Sequence, residues 1–154
     1  MTAFSHILVA TDGSALATMA LERAVALAAA CASALTIVTV TEPLPTFAAG
    51  EIGWSLPADA LTSIRDADTA RARAILDAAS ATARAGGVAA QPRHVPDSAP
   101  AQGIVDTAAS CGADLIVMAS HGRRGFNRLV LGSQAAKVLA MSPVAVLIAK
   151  PPAA

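Results

Sequence analysis

Apolar positions along the chain follow two patterns in turn, and each pattern predicts one kind of secondary structure. Residues 6–11 form a short apolar run without alternation, which is typical of a strand covered on both faces. Residues 15–32 are rich in alanine and leucine and predict a helix, whereas the β-branched run at 35–40 predicts a second strand. These segments therefore predict a first β-α-β unit.

The stretch 41–57 holds three prolines and two glycines, so it predicts a long connection without a regular element. After it, apolar residues at a spacing of about 3.6 predict a helix over 58–85. The predicted apolar face of this helix consists of Leu61, Ile64, Ala72, Ile75 and Ala79. The remaining pattern predicts a weak strand at 88–95, a helix at 100–111, a strand at 114–119, a helix at 132–141 and a last strand at 144–149.

Five strands that alternate with four helices predict an α/β fold, with one open five-stranded parallel sheet and helices on both of its faces. A length of 154 residues suits one domain, so we expect 1–154 to form a single unit. Ligands of such sheets bind outside the carboxyl ends of the strands. Asp12, Val40 and Ser120 lie at the ends of the first, second and fourth predicted strands, so we expect a binding site among them.

Composition narrows the class of protein. The chain is 55% hydrophobic with a mean hydropathy of +0.56, but much of this excess is alanine, and no run approaches the ~18 apolar residues of a membrane-spanning helix. Residues 1–5 contain no Lys or Arg ahead of an apolar stretch, which a secretory signal would have. We therefore expect no membrane association and a cytoplasmic location.

Charge and aromatic content argue against nucleic acid as a partner. Eleven basic residues balance eleven acidic ones, and aromatic residues make up 3% of the chain. There is thus neither a basic stripe for a duplex nor a set of rings on which bases could stack. Cys31 and Cys111 are far apart and form no CxxC motif, which favours two reduced core residues. No His, Cys, Asp or Glu cluster has the spacing of metal ligands.

The segment 119–133 contains the most informative pattern. It leaves a predicted strand, contains glycines and three arginines, and ends in Gly132-Ser133 at a predicted helix start. Backbone N–H groups and the positive dipole end at such a start can hold a phosphate, and the Ser133 hydroxyl can add to them. A second interpretation stays open: Ser133 only caps the helix, Gly132 only makes a turn, and the arginines form a solvated rim. The segment matches neither GxxxxGK[ST] nor GxGxxG.

Three runs of residues make the chain resemble a known family. They are Ile-Leu-Val-Ala-Thr-Asp-Gly-Ser at 7–14, Asp-Leu-Ile-Val-Met-Ala-Ser-His-Gly at 114–122, and Gly132-Ser133 after nine further residues. Together they resemble the universal stress protein family over residues 6–150. The nucleotide-binding pattern of that family is Gly-x-x-Gly, nine residues, then Gly-Ser/Thr. Gly122, Gly132 and Ser133 match it here, and Ala119 replaces the first glycine.

The resemblance implies a Rossmann-like fold of the adenine nucleotide alpha-hydrolase type and ATP as the ligand, with Mg²⁺ carried by its phosphates. It also implies that Asp12 lies near the ribose or adenine, that the Val40 backbone meets the adenine edge, and that residues around Gly122 and Gly132 wrap the phosphates. The implied nucleotide-binding residues are Ala10, Thr11, Asp12, Val40, Met118, Ala119, Ser120, His121, Gly122, Arg123, Arg124, Gly125, Gly132, Ser133 and Gln134.

In functional terms the resemblance implies a cytoplasmic stress-response protein that acts as a nucleotide-dependent switch or binding module. It implies a homodimer in which the last strand, 144–149, pairs with its symmetry mate, and it leaves room for an unidentified protein partner. The alternative is a family member that binds no nucleotide and acts through protein contacts, which Ala119 in place of a glycine favours.

Two further alternatives concern single residues. Asp12 could be only the cap of the first helix. Ser120 and His121 could act as nucleophile and base, but neighbouring residues that leave a strand are expected to point apart, and no third orienting residue is apparent. We therefore expect no triad hydrolase and, at most, slow ATP hydrolysis.

Overall fold

The computed structural model describes residues 3–44, 57–122 and 131–151, and strands alternate with helices along these ranges. The elements are β1 (His6–Ala10), α1 (Ala15–Cys31), β2 (Ala34–Val40), α2 (Ala58–Ala85), β3 (Ala90–Val95), α3 (Pro100–Cys111), β4 (Leu115–Ala119), α4 (Ser133–Met141) and β5 (Ala145–Ala149). The bounds agree with the predicted ones to within two residues. None of the helices in these ranges is long and apolar enough to cross a membrane.

The strands form one sheet in the order β3-β2-β1-β4-β5, and each neighbouring pair is parallel. The predicted α/β fold with an open five-stranded parallel sheet is thereby confirmed. In the centre, Val9 of β1 lies between Ile37 of β2 and Val117 of β4. All three side chains are buried, because helices cover the sheet on both faces, and this explains why these strands are apolar without alternation.

Alternate residues of the strands enter two separate cores. On the first face, Ile7 and Val9 pack with residues of α1 and α2. On the second face, Leu8 and Ile116 pack with residues of α3 and α4. The chain therefore leaves β1 towards the first face and leaves β4 towards the second face.

Helix α2 is much longer than the sheet that it covers. Its 28 residues extend over about 42 Å, whereas the seven residues of β2 extend over about 23 Å. Its buried residues all come from its second half and are Ala72, Leu76, Ala79 and Ala83. The predicted apolar face is thus correct for Ala72 and Ala79, but Ile64 is 37% exposed. The reason is that the first half of α2 projects beyond the carboxyl edge of the sheet, where no strand of the described ranges lies beneath it.

Asp114 joins the amino ends of β1 and β4. Its Oδ2 accepts hydrogen bonds from Ser5 N and Ser5 Oγ, both at 2.7 Å, and its Oδ1 accepts one from His6 N at 3.2 Å. The hydrogen bonds from the backbone and side chain of Ser5 hold the pKa of the Asp114 carboxyl below its ordinary value of 3.8. The ionised form is therefore favoured by folding.

We expect Asp114→Asn to lower the free energy of unfolding at neutral pH, because the charged acceptor is lost. A lowered folded-state pKa stabilises the protein above the unfolded-state pKa, and this contribution disappears as pH falls through the folded-state value. Denaturant titrations of wild type and variant from pH 7 downwards should therefore converge in the acid range. Asp77→Asn, on the exposed side of α2, is the control for loss of a surface charge. A difference that stays constant down to the lowest pH would contradict the prediction.

A second stability prediction concerns Ser80 of α2. Its Oγ is shielded from solvent and has no hydrogen-bond partner among the described residues. Ser80→Ala removes this unpaired hydroxyl and raises helix propensity, so we expect the free energy of unfolding to rise by about 0.5–1 kcal/mol. Ser110→Ala in α3 is the matched control, because the Ser110 hydroxyl donates to Thr107 O at 3.0 Å. If denaturant titrations give equal changes in the free energy of unfolding for the two substitutions, the unpaired hydroxyl does not destabilise the protein.

Candidate functional site

The strand order places a crevice at the carboxyl edge of the sheet, between β1 and β4. These strands are neighbours, but the chain continues from β1 into α1 on the first face and from β4 towards α4 on the second face. The segments that follow the two strands therefore diverge. In an open parallel sheet this is the place where ligands bind.

Asp12 lies in the turn between β1 and α1. Its Oδ1 accepts a hydrogen bond from Ser14 N at 2.9 Å, and Ser14 in turn caps α1 by accepting from Ala17 N at 3.2 Å. Gly13 adopts the left-handed conformation with φ of +77°, which a glycine tolerates without strain. The cap of α1 is thus Ser14 rather than Asp12, and the interpretation of Asp12 as the helix cap is wrong.

The other carboxylate oxygen of Asp12 lies next to Gly122. A Cβ built on Gly122 would be 2.9 Å from Asp12 Oδ2, which is closer than real side-chain contacts come. Gly122 therefore permits a close approach between the segment after β4 and the carboxylate after β1. The structure brings together the two residues that the sequence placed at the ends of separate strands.

Gly132 lies at the end of the segment that connects β4 to α4 and is hydrogen-bonded to the start of that segment. Its N–H donates to Ser120 O at 2.8 Å, and Ser120 N donates to Ala149 O of β5 at 2.9 Å. Gly132 has φ of −60° and ψ of 150°, so it needs no special backbone conformation. A Cβ at Gly132 would lie 2.5 Å from Ser120 O, so the glycine is required because two main-chain segments meet there.

Gly132 is also the N-cap residue of α4, and Ser133 is the first residue of the helix. Among the described residues, no side chain forms a cap hydrogen bond at this end. The interpretation of Ser133 as the helix cap is therefore wrong. The first turn of α4 presents its N–H groups at the carboxyl edge, close to Ser120 and His121, where they form the positive end of a helix dipole.

Ser120 and His121 contact each other. His121 Nδ1 and Ser120 Oγ are 3.2 Å apart, so the expectation that these side chains point apart is wrong. That expectation assumed extended strand geometry through both residues, whereas β4 ends at Ala119. Ser120 is 3% exposed and His121 is half-buried at the crevice.

Val40 ends β2 beside the Asp12 turn. Thr11 N donates to Val38 O, and Thr41 N donates to Val95 O, both at 2.9 Å. Because backbone groups of a strand face its two neighbours alternately, the N–H and C=O of Val40 face the β1 side, beyond the end of β1. This is the orientation that main-chain contact with a ligand in the crevice requires.

Ala119 replaces the first glycine of the family pattern. It pairs with Ala149 in the sheet, and its methyl group is part of the core on the first face, where 7% of the residue is exposed. A strand residue with this environment needs no positive φ, as predicted. Alanine is therefore compatible with the backbone and with the packing at this position.

The other predicted site residues fall into four groups. Thr11 and Met118 are buried beneath the edge, and Ala10 and Gln134 are half-buried beside it. Ser133 is exposed at the start of α4. Arg123, Arg124 and Gly125, and with them Arg128, lie outside the described residues.

Two cavities beyond the strand ends include residues that the sequence analysis did not single out. One has a volume of about 210 Å³ and is lined in part by Thr41, His94 and Asp68. The other has a volume of about 450 Å³ and is lined in part by Gln134 and Lys137 of α4. The position of Thr41 directly after Val40 could have pointed to the first cavity. Lys137 could have been found from its place one helical turn after Ser133. Within the described ranges, no three His, Cys, Asp or Glu residues are grouped so that they could hold a metal ion.

Comparison with known proteins identifies the family. The sequence profile of the Universal stress protein family matches residues 3–150. A universal stress protein solved in complex with cAMP is 29% identical, with a TM-score of 0.71 and coverage of 97% of this chain and 98% of that one. A protein of the same family from Burkholderia pseudomallei is 31% identical, with a TM-score of 0.67 and coverage of 97% and 96%.

A universal stress protein from Archaeoglobus fulgidus in complex with dAMP shares the fold. It is 22% identical, with a TM-score of 0.67 and coverage of 97% of this chain and all of that one. No match to the chain is found among curated proteins. Since the family profile extends over nearly the whole chain, and the Burkholderia relative exceeds 30% identity, the chain belongs to the universal stress protein family.

Proposed function

We propose that this protein binds an adenine nucleotide at the carboxyl edge of its sheet, with ATP as the ligand and Mg²⁺ carried by the phosphates. The observation that carries the proposal is the convergence of Asp12, Gly122 and the first turn of α4 on one crevice. The relative that was solved with cAMP supports an adenine nucleotide as the class of ligand.

Each part of the crevice suits one part of a nucleotide. The N–H groups at the start of α4, together with the Ser133 hydroxyl, are suited to phosphate oxygens. Asp12 accepts hydrogen bonds, so its carboxylate is suited to ribose hydroxyls. The main-chain N–H and C=O of Val40 can donate to and accept from the edge of a base. Mg²⁺ usually keeps several of its waters and binds phosphate oxygens of the nucleotide, so the proposed site needs no separate cage of protein ligands for it.

The protein is proposed to act as a cytoplasmic, homodimeric switch or binding module rather than as a dedicated ATPase. Phosphoryl transfer requires a group that orients the attacking water and a carboxylate for the metal. The described residues after β4 are a serine, a histidine and a glycine, and the Asp12 carboxylate already accepts from Ser14 N in the turn after β1, so this set of residues is suited to binding. The free thiols of Cys31 and Cys111 accord with a reducing compartment.

The second candidate function is a protein that binds no nucleotide and works through protein contacts. Ala119 is the residue that favours it. Against it stands the position of the Ala119 methyl group, which packs into the core on the first face. The methyl group of Ala119 therefore occupies space in the core and does not displace the segments at Gly122 and Gly132.

Two substitutions test the nucleotide site. Ala119→Gly should change ATP affinity by less than about tenfold, or under ~1.4 kcal/mol. Gly132→Ala should weaken it by more than about tenfold, because the new methyl group would force Ser120 O and the start of α4 apart. Isothermal titration with Mg²⁺–ATP measures both affinities, and thermal unfolding checks that the variants are folded.

Mass spectrometry of nucleotide released by heat from the purified protein gives an independent test. An adenine nucleotide in the supernatant supports the proposal. Three results together would establish the second candidate function. The purified protein would release no nucleotide, wild type would not bind Mg²⁺–ATP at millimolar concentration, and Ala119→Gly would restore binding.

The two edges of the sheet differ in a way that supports a dimer through β5. The β3 edge carries exposed Pro92 and Arg93, and both discourage pairing with another strand. β5 lacks proline and charge, and its Val146 and Ile148 are half-buried. Because Ser120 N donates to Ala149 O, alternation places the N–H groups of Val146 and Ile148 on the outer side of β5. A second copy could pair there about a two-fold axis.

Val146→Pro should convert the proposed dimer to a folded monomer. Proline removes an outward N–H and leaves the inward bonds of β5 to β4 intact. Val146→Ala keeps the N–H and is the matched control, which should remain a dimer. Light scattering coupled to gel filtration at micromolar concentration distinguishes these states. A monomeric wild type, or a Val146→Pro variant that still dimerises and is folded by circular dichroism, would exclude this interface.

A further inference from the structure

Strand β2 is supported by its two neighbours over unequal lengths. Its register with β1 ends at the pair Ala10 and Val38, whereas its register with β3 continues to the pair Val40 and Val95. Because the N–H and C=O of Val40 face the β1 side, they have no strand partner among the described residues. The position of these two groups therefore depends on how the chain is held from the β3 side.

Thr41 holds the chain directly after Val40 by three hydrogen bonds. Its N–H donates to Val95 O at 2.9 Å, and its C=O accepts from Ser98 N at 3.1 Å. Its hydroxyl oxygen is 2.8 Å from His94 Nε2. The three partners belong to β3 or to the connection between β3 and α3. Thr41 therefore ties the end of β2 to the β3 side through its side chain as well as its main chain.

Val40 is held from both faces of the sheet. Its side chain packs against the core of the second face, where a Cβ built on Gly103 of α3 would lie 3.0 Å from Val40 Cγ1. Thr41 and His94 line the cavity of about 210 Å³ that Asp68 of α2 also lines, so their bond lies on the first face. This bond is the part of the support that a side-chain substitution removes while the main-chain bonds stay.

In the proposed site, Val40 offers the base one donor and one acceptor. The ring nitrogen N1 of adenine accepts a hydrogen bond and its 6-amino group donates one, which matches the N–H and C=O of Val40. Hypoxanthine, the base of inosine triphosphate (ITP), has an N–H at N1 and a carbonyl oxygen at position 6, so both roles are reversed. A main chain that is held in place disfavours the reversed base, because polar groups would be left unpaired.

We infer that Thr41, through its hydrogen bond with His94, is the positioning residue that fixes the Val40 main chain for the base and gives the site its selectivity for ATP over ITP. The inference rests on the proposed nucleotide site. It assigns a role to a side-chain pair that the phosphate-binding segments at Gly122 and Gly132 do not include.

Two nucleotides that differ only at the edge of the base test the inference. Isothermal titration of the full chain with Mg²⁺–ATP and Mg²⁺–ITP gives the ratio of the two affinities. Thr41→Val should lower the affinity for ATP by about three- to tenfold, the contribution expected of one neutral hydrogen bond, and leave the affinity for ITP unchanged. Thr41→Ser keeps the hydroxyl and should keep the wild-type ratio. Thr36→Val is the matched control, because it removes the hydroxyl 2.8 Å from His6 Nε2, towards the amino edge of the sheet, and should also keep the ratio.

A double-mutant cycle tests whether the bond to His94 accounts for the effect. His94→Leu should lower the affinity for ATP as much as Thr41→Val does, and the double variant should bind ATP no more weakly than either single variant. Additive losses would show that the two side chains act separately, which contradicts the inference. Thermal unfolding checks that each variant is folded.

The remaining outcomes separate this inference from the proposed function. If wild type binds ATP and Thr41→Val lowers the affinities for ATP and ITP equally, or lowers neither, the role of Thr41 is overturned and the proposed site stands. Equal affinities of wild type for ATP and ITP overturn the inference in the same way. Failure of wild type to bind ATP at millimolar concentration overturns both the proposed function and the inference.

Discussion

The divergence of the chain after β1 and β4 is the constraint on which the site depends. The two strands are hydrogen-bonded neighbours, yet the chain continues from them to opposite faces of the sheet. Right-handed connections through helices leave no other arrangement for the strand order β3-β2-β1-β4-β5. The position of the crevice follows from the strand order alone, and at its base Ser120 and Gly132 approach each other through main chain. A ligand of the proposed kind would therefore meet main-chain N–H and C=O groups, together with a few side chains such as Asp12.

Close approach between neighbouring segments explains the two glycines after β4. Gly122 and Gly132 lie where a methyl group would strike Asp12 or the Ser120 carbonyl oxygen. Neither position requires a positive φ, so close approach is the reason for glycine at both. Gly13 differs, because its φ of +77° turns the chain from β1 into α1. Ala119 is the last residue of β4, where neither demand applies, and the structure therefore accommodates a residue that departs from the family pattern.

The sequence predicted every strand and helix of the described ranges, because buried strands and amphipathic helices have distinct periods. It also placed Asp12, Val40 and Ser120 at one edge, which follows from parallel strands. Sequence-based prediction failed where a residue's burial or contacts depend on how segments distant in sequence lie relative to one another. Spacing could not show that Ile64 lies beyond the sheet, since that depends on the length of α2 relative to β2. Nor could it show the contact between Ser120 and His121, because a strand's alternation stops at its last residue.

One hydrogen bond joins the edge strand β5 to the proposed nucleotide crevice. Ala149 of β5 accepts from Ser120 N, and Ser120 O accepts from Gly132 N at the start of α4. In the proposed dimer, the partner's strand would pair with the outer side of β5. The proposed nucleotide would contact segments that are hydrogen-bonded to the inner side of β5. Such a link transmits a signal only if the element between the two sites has two arrangements that both sites bias. The structure shows the base of the β4–α4 segment in one arrangement, held by the bonds from Ser120 N to Ala149 O and from Gly132 N to Ser120 O, and a second arrangement would have to break at least one of these bonds.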